Sequence, residues 1–125
     1  MNEKKLILNF GKQPVAKITD DQLNFLIHRE FPNNIELIEK KLDKIKSDSK
    51  QGKNRISAAV LKIANKELEK IDFLIKKANE DFRDIVAEAE YPKSSSYGFG
   101  KRNENERKDD YLKDWEDYSD WKTKK

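Results

Sequence analysis

The sequence predicts an all-α protein: a compact bundle of about four helices, followed by a flexible linker and a C-terminal amphipathic helix. Three observations predict it. Apolar residues recur at steps of three and four through most of residues 19–90, the period of a helix with one buried face. No alternating run long enough to build a sheet occurs, "LILNF" at 6–10 being the only strand-like stretch. The chain of 125 residues is 41% charged and 35% hydrophobic, with mean hydropathy −1.04, which supports one modest core with polar tails.

The first helix is "TDDQLNFLIHREF", residues 19–31. Thr19 or Asp20 caps it, acidic residues suit its first turn, and Leu23, Leu26, Ile27 and Phe31 face inward. The second, near 34–47, follows Pro32 and takes Asn33 or Asn34 as its cap. Its inward residues Ile35, Ile38, Leu42 and Ile45 step by three, four and three. "SDSKQGKN", with Gly52, reads as the next loop.

The third helix, near 54–65, places Ile56, Ala59, Val60 and Ile63 on one face. Ser57, Ala58 and Ala59 permit close approach of a neighbour, and Asn65-Lys66 form a break. The longest pattern follows. Leu68, Ile71, Ile75, Ala78, Phe82, Ile85 and Ala89 predict one central helix over 67–90, ended by Tyr91-Pro92 because the residue before a proline leaves the helical region. The domain organisation expected is therefore a bundle over 1–92, a linker over 93–105 and a C-terminal helix within 106–125, its regular part near 106–121. The linker "KSSSYGFGKRNENE" lacks helical periodicity.

Composition excludes several chemistries. There is no cysteine, hence no disulfide, thiolate metal site or cysteine nucleophile. The opening "MNEKKLILNFGK" has too short an apolar run for a secretory signal, and no stretch could span a bilayer, so a soluble cytoplasmic protein without membrane contact is expected. Net charge is +3 but polarised. Residues 40–77 hold twelve Lys/Arg against five Asp/Glu, whereas residues 78–92 hold one against five.

Four groups of residues invite a functional reading. Asp81, Asp84 and Glu88 share a helical strip with Arg83 among them. Helical carboxylate metal sites add a Glu-x-x-His pair, which this chain lacks, so a structural ion-pair network with Arg83 or a cross-helix Arg55 is expected instead. His28, the only histidine, suits the C-terminal end of the first helix and has no companion for catalysis. "YGFGK" lacks the spacing of a phosphate-binding loop.

The basic run Lys40, Lys41, Lys44, Lys46, Lys50, Lys53 and Arg55 could contact phosphates. It has no interleaved aromatic to stack on bases, so nucleic acid is the alternative partner rather than the first. The tail aromatics Tyr111, Trp115, Tyr118 and Trp121 are candidate anchors, either folded back in cis or set against another chain.

Residues 55–92, "RISAAVLKIANKELEKIDFLIKKANEDFRDIVAEAEYP", resemble a group of small all-helical bacterial proteins of unassigned activity. Their pattern is an A-x-L-K-L-A helix, a short turn, and a helix running D-x-R-D-V-L to A-E-Y-P. Arg55, Ala59, Leu61, Lys62, Ala64, Leu68, Asp81, Arg83, Asp84, Ala89, Glu90, Tyr91 and Pro92 carry the match. The turn departs: Asn65-Lys66-Glu67 stand where the group has a glycine and an aspartate. The resemblance implies a helical pair and a bacterial origin, and no activity. Together these readings predict a non-enzymatic helical protein that acts by protein–protein interaction or regulation, with a protein partner or itself, and with no catalytic residue, metal or cofactor. A nucleic-acid-associated protein using residues 40–77 is the alternative.

Overall fold

A computed structural model describes residue 7, residues 14–97 and residues 103–125. The described residues form α1 (Asp20–Glu30), α2 (Ile35–Leu42), α3 (Lys50–Ala64), a 3-10 turn at Leu68–Lys70, α4 (Ile71–Glu80), α5 (Phe82–Glu90), α6 (Pro92–Tyr97) and α7 (Glu104–Thr123). No strand occurs among them. The strand-like 6–10 stretch lies outside the described residues except for Ile7, which is helical and buried. The chain divides into two units. One holds residues 17–89; the other joins residues 1–16 to residues 90–124.

Within residues 17–89, α1 starts as its sequence requires. The Thr19 hydroxyl accepts from the Gln22 N–H at 3.1 Å, and the Gln22 side chain accepts from the Thr19 N–H at 3.0 Å, a reciprocal capping box. His28 bonds the Asn24 carbonyl with Nδ1 at 2.8 Å, a local role at the helix end. The second helix is shorter than expected, ending at Leu42, but Ile38, Leu42 and Ile45 are buried as its spacing predicts.

The centre of this unit is α3, not the 67–90 segment. Ile56, Ala58, Ala59, Val60, Leu61 and Ala64 are all buried, and α3 packs against both α1 and α4, while α2 meets α1 and α4. Small residues at 57–59 allow those neighbours close on two sides. Burying each large aliphatic side chain there stabilises the fold by roughly 1.5–3 kcal/mol. The helix also begins inside the loop expected at 47–54, at Lys50. Ser49 caps it by accepting from the Gly52 N–H at 2.9 Å. Gly52 fits there because a Cβ would stand 2.5 Å from the Ser47 hydroxyl. At its far end Asn65 (φ 50°) and Lys66 (φ 67°) both take left-handed backbone, and the chain turns into the 3-10 segment.

The single helix predicted over 67–90 is broken into the 3-10 turn, α4 and α5. The break falls at Asp81, whose backbone is extended (φ −156°, ψ 100°). Its N–H closes α4 on the Lys77 carbonyl, and its carboxylate then accepts from the Arg83 N–H at 3.1 Å, starting α5. An aspartate offers this local bond in place of the next helical one, which apolar periodicity alone does not register. Because the phase resets, Phe82 leaves the buried seam and is 47% exposed, and Phe73 on α4 is 60% exposed.

The other unit contains α6 and α7, which pack together. The expected linker over 93–105 is therefore helical in its first part, since α6 covers Pro92–Tyr97. "YGFGK" falls beyond the described residues after Tyr97. Asn103 caps α7 by accepting from the Glu106 N–H at 2.8 Å, and the helix runs further than expected at both ends.

Candidate interaction surface

The sequence-predicted site residues do not converge on one centre. Asp81 pairs with Arg83, its neighbour two residues on, through Nε–Oδ1 at 3.0 Å and Nη2–Oδ2 at 3.1 Å. Arg83 is 79% exposed in its side chain, so this is a surface cap rather than a buried network. The Arg83 guanidinium, followed by its backbone N–H, holds the Asp81 carboxyl below the usual carboxylate range. Asp84 and Glu88 are exposed, and Arg55 is half-buried in a groove with Ile56, Phe82 and Val86.

A well-buried ion pair among the described residues lies elsewhere. Arg29 Nε meets Glu30 Oε2 at 3.1 Å, with side chains 13% and 5% exposed, and the same guanidinium lies 5.6 Å from the Phe25 ring centre. Reading "HRE" as a helix end gave no sign of it, because Glu30 is buried by tertiary packing that no local pattern encodes.

The basic segment is partly engaged with acids. Lys41 meets Asp72 at 2.7 Å, Lys50 meets Asp20 at 2.8 Å, Lys53 meets Asp43 at 3.8 Å, and Lys70 pairs with Glu67. Lys50 and then Asn54 hold the Asp20 carboxyl low, Lys41 does the same for Asp72, and Asp20 in turn raises the Lys50 ammonium. These are positioning contacts between elements, screened by solvent and weak singly.

On α7 the buried stripe is Asp110, Asp114 and Tyr118, at steps of four, rather than Tyr111, Trp115 and Tyr118. Tyr118 is 5% exposed, whereas Trp115 and Trp121 are half-buried. Tyr111 meets Tyr91 edge-on at 6.3 Å, and Tyr118 lies 5.7 Å from Trp121. Tyr91 also donates its hydroxyl to the Pro14 carbonyl. Tyr111, Tyr118 and Trp121 thus make these ring contacts within their own unit, in which α7 packs on α6 and Trp115 and Tyr118 line a small cleft with Pro14 and Ala16.

Three polar residues that sequence reasoning missed hold the fold together. Asn54, buried on α3, donates to the Ile18 carbonyl at 3.1 Å and to Asp20 at 2.9 Å. Asn79 accepts from the Lys46 N–H at 2.9 Å and donates to the Lys44 carbonyl at 3.0 Å, fixing the loop after α2. Asp114 accepts from the start of α6. An isolated polar residue on the inward side of an otherwise apolar face was the available signal for Asn54.

Two exposed aromatics, Phe73 and Phe82, lie on either side of the Asp81 break. One groove, about 310 Å³, has Phe73, Leu74 and Ile85 as its floor and Glu80, Asp81, Asp84 and Glu88 with Lys77 at its rim. The Lys77 ammonium sits 5.6 Å from the Phe73 ring centre. The other, about 530 Å³, sets Phe82, Val86 and Ile56 beside Lys46 and Arg55. Among the described residues no three histidine or carboxylate side chains group to hold a metal, and no helix is long and apolar enough to cross a membrane.

No protein-family model, curated protein or solved structure matches the chain.

Proposed function

We propose that this is a non-enzymatic helical interaction factor that binds a protein partner through the α4–α5 surface. The observation that carries this reading is the pair Phe73 and Phe82, exposed in grooves on the two sides of the Asp81 break. Rings left 60% and 47% exposed forgo about half of the burial that places aromatics in cores, and such rings lining grooves mark contact sites. Neighbouring charges of opposite sign in the two grooves would orient the partner. Affinity purification from the native cell, comparing the wild-type chain with Phe73→Ser/Phe82→Ser, tests it. Both residues are exposed, so the double variant should fold, and a partner retained by the variant argues against this surface.

Nucleic acid is less favoured, because Lys41, Lys50, Lys53 and Lys70 already face carboxylates. Sub-micromolar binding to duplex or single-stranded probes, falling steeply with salt, would reverse that order.

A further inference from the structure

The α4–α5 acidic groove has its chemical complement on the same chain. The groove offers an apolar floor, Phe73, Leu74 and Ile85, under the carboxylates Glu80, Asp84 and Glu88. On α2, Leu37 is 41% exposed and the exposed Lys40 follows it one turn on, while Lys44, also exposed, lies in the turn just past the end of α2. An exposed leucine flanked by lysines is what an acidic, phenylalanine-floored groove would accept. Within one molecule α2 lies against a different face of α4. The α4 side chains Asp72 and Asn79 reach α2 and its loop, whereas Phe73 and Glu80, one residue on, are turned about 100° around the helix from them.

We infer that the acidic groove takes the Leu37–Lys40–Lys44 face of a second copy of this chain. The inference rests on the proposed interaction surface and names its occupant. The two patches differ, so the contact is heterologous: each molecule presents both a groove and an α2 surface, and copies add head to tail. One short helix face in one groove is smaller than the roughly 1,000 Å² of a stable interface, so the association is weak, concentration-dependent and salt-sensitive.

Sedimentation velocity of the full chain at low and high salt tests this. The expected result is a weight-average mass that rises with concentration above the 14.8 kDa monomer and falls back as salt is added. Leu37→Ser and Phe73→Ser, both at exposed positions, should each weaken association by about tenfold or more. Asp84→Lys/Glu88→Lys and Lys40→Glu/Lys44→Glu should each be monomeric alone, and mixing the two should restore assembly, since each then offers the charge the other lacks. A chain that stays monomeric throughout, or a mixture that does not associate, overturns the second-copy assignment. A labelled leucine/lysine amphipathic peptide then separates the two readings. Binding to wild type but not to Phe73→Ser keeps the surface as a docking site for another protein, and no binding removes that reading as well.

Discussion

Asp114 on α7 holds the first turn of α6 through Ser94: its Oδ2 accepts from the Ser94 N–H at 3.0 Å and from the Ser94 hydroxyl at 2.8 Å. Its other oxygen accepts from the Lys93 N–H at 3.1 Å, and the residue is only 1% exposed. One carboxylate thus supplies the acceptors that a helix start lacks within itself. Asp114→Ala leaves those donors without it and should destabilise the α6–α7 unit by about 1–3 kcal/mol. Both tryptophans lie on α7, so the loss should appear as an earlier transition in tryptophan fluorescence. An unchanged melting curve would count against the role given to Asp114.

The two arginine pairs should separate cleanly. Arg29→Ala strips a buried Glu30 of a charged partner and should cost about 1.5–3 kcal/mol in a urea titration. Arg83→Gln removes an exposed partner, and the midpoint should stay nearly where it was. Asp81→Ala should lower the midpoint more than Arg83→Gln does, because it also deletes the bond that starts α5.

Lys66 is held at φ 67°, where a Cβ is unfavourable and glycine is not. Lys66→Gly should therefore raise stability by about 0.5–1 kcal/mol, despite the greater freedom it gives the unfolded chain. Asn65→Val, a β-branched residue at φ 50°, should lower it by about 1 kcal/mol or more. Urea midpoints of the two variants, which should move in opposite directions from wild type, check this.

Stability should be nearly level between about pH 5 and 9 and fall on both sides. Asp20, Asp72 and Asp81 are held below their ordinary range by cationic partners. Their contribution is complete above the unfolded carboxylate value near 4 and is lost as pH drops through the lower folded one. Lys50 and Lys70 are raised by Asp20 and Glu67, so their contribution is complete below about pH 10 and disappears as pH climbs past the folded value. In Asp20→Asn the acid limb should be shallower than in wild type, and added salt should flatten both limbs. Denaturation midpoints across pH test the sign on each side.

Helix identity was legible wherever packing alone sets the pattern. The α1 cap, the Ile38–Leu42–Ile45 stripe and the helical tail all follow from spacing and end residues. The break inside 67–90 was not, because a three-four rhythm continues across Asp81 while the aspartate diverts one backbone bond. The exposure of Phe82 follows from that diversion, and with it the second groove. The tail failed differently. Aromatic area points to Trp115 as the anchor, yet α7 turns Asp110 and Asp114 inward, and Asp114 serves donors on another element. A carboxylate's burial depends on who donates to it, and that partner is twenty residues away in sequence. The glycine missing from the 65–67 turn was visible in the sequence, but not that two successive residues adopt left-handed backbone there.

The hydrogen bond from Tyr91 to Pro14 joins residues 77 positions apart, and the unit it belongs to takes strands of chain from both sides of residues 17–89. During synthesis Pro14 emerges long before its acceptor carbonyl has a donor. At about 5–20 residues per second the wait is roughly 4–15 s. The α1–α5 segment contains its own partners and can collapse in that interval, while the α6–α7 unit must close a long loop first, an entropic cost that slows its formation. Folding therefore has a built-in sequence: the middle of the chain matures as a nascent segment, and the early residues are recruited last.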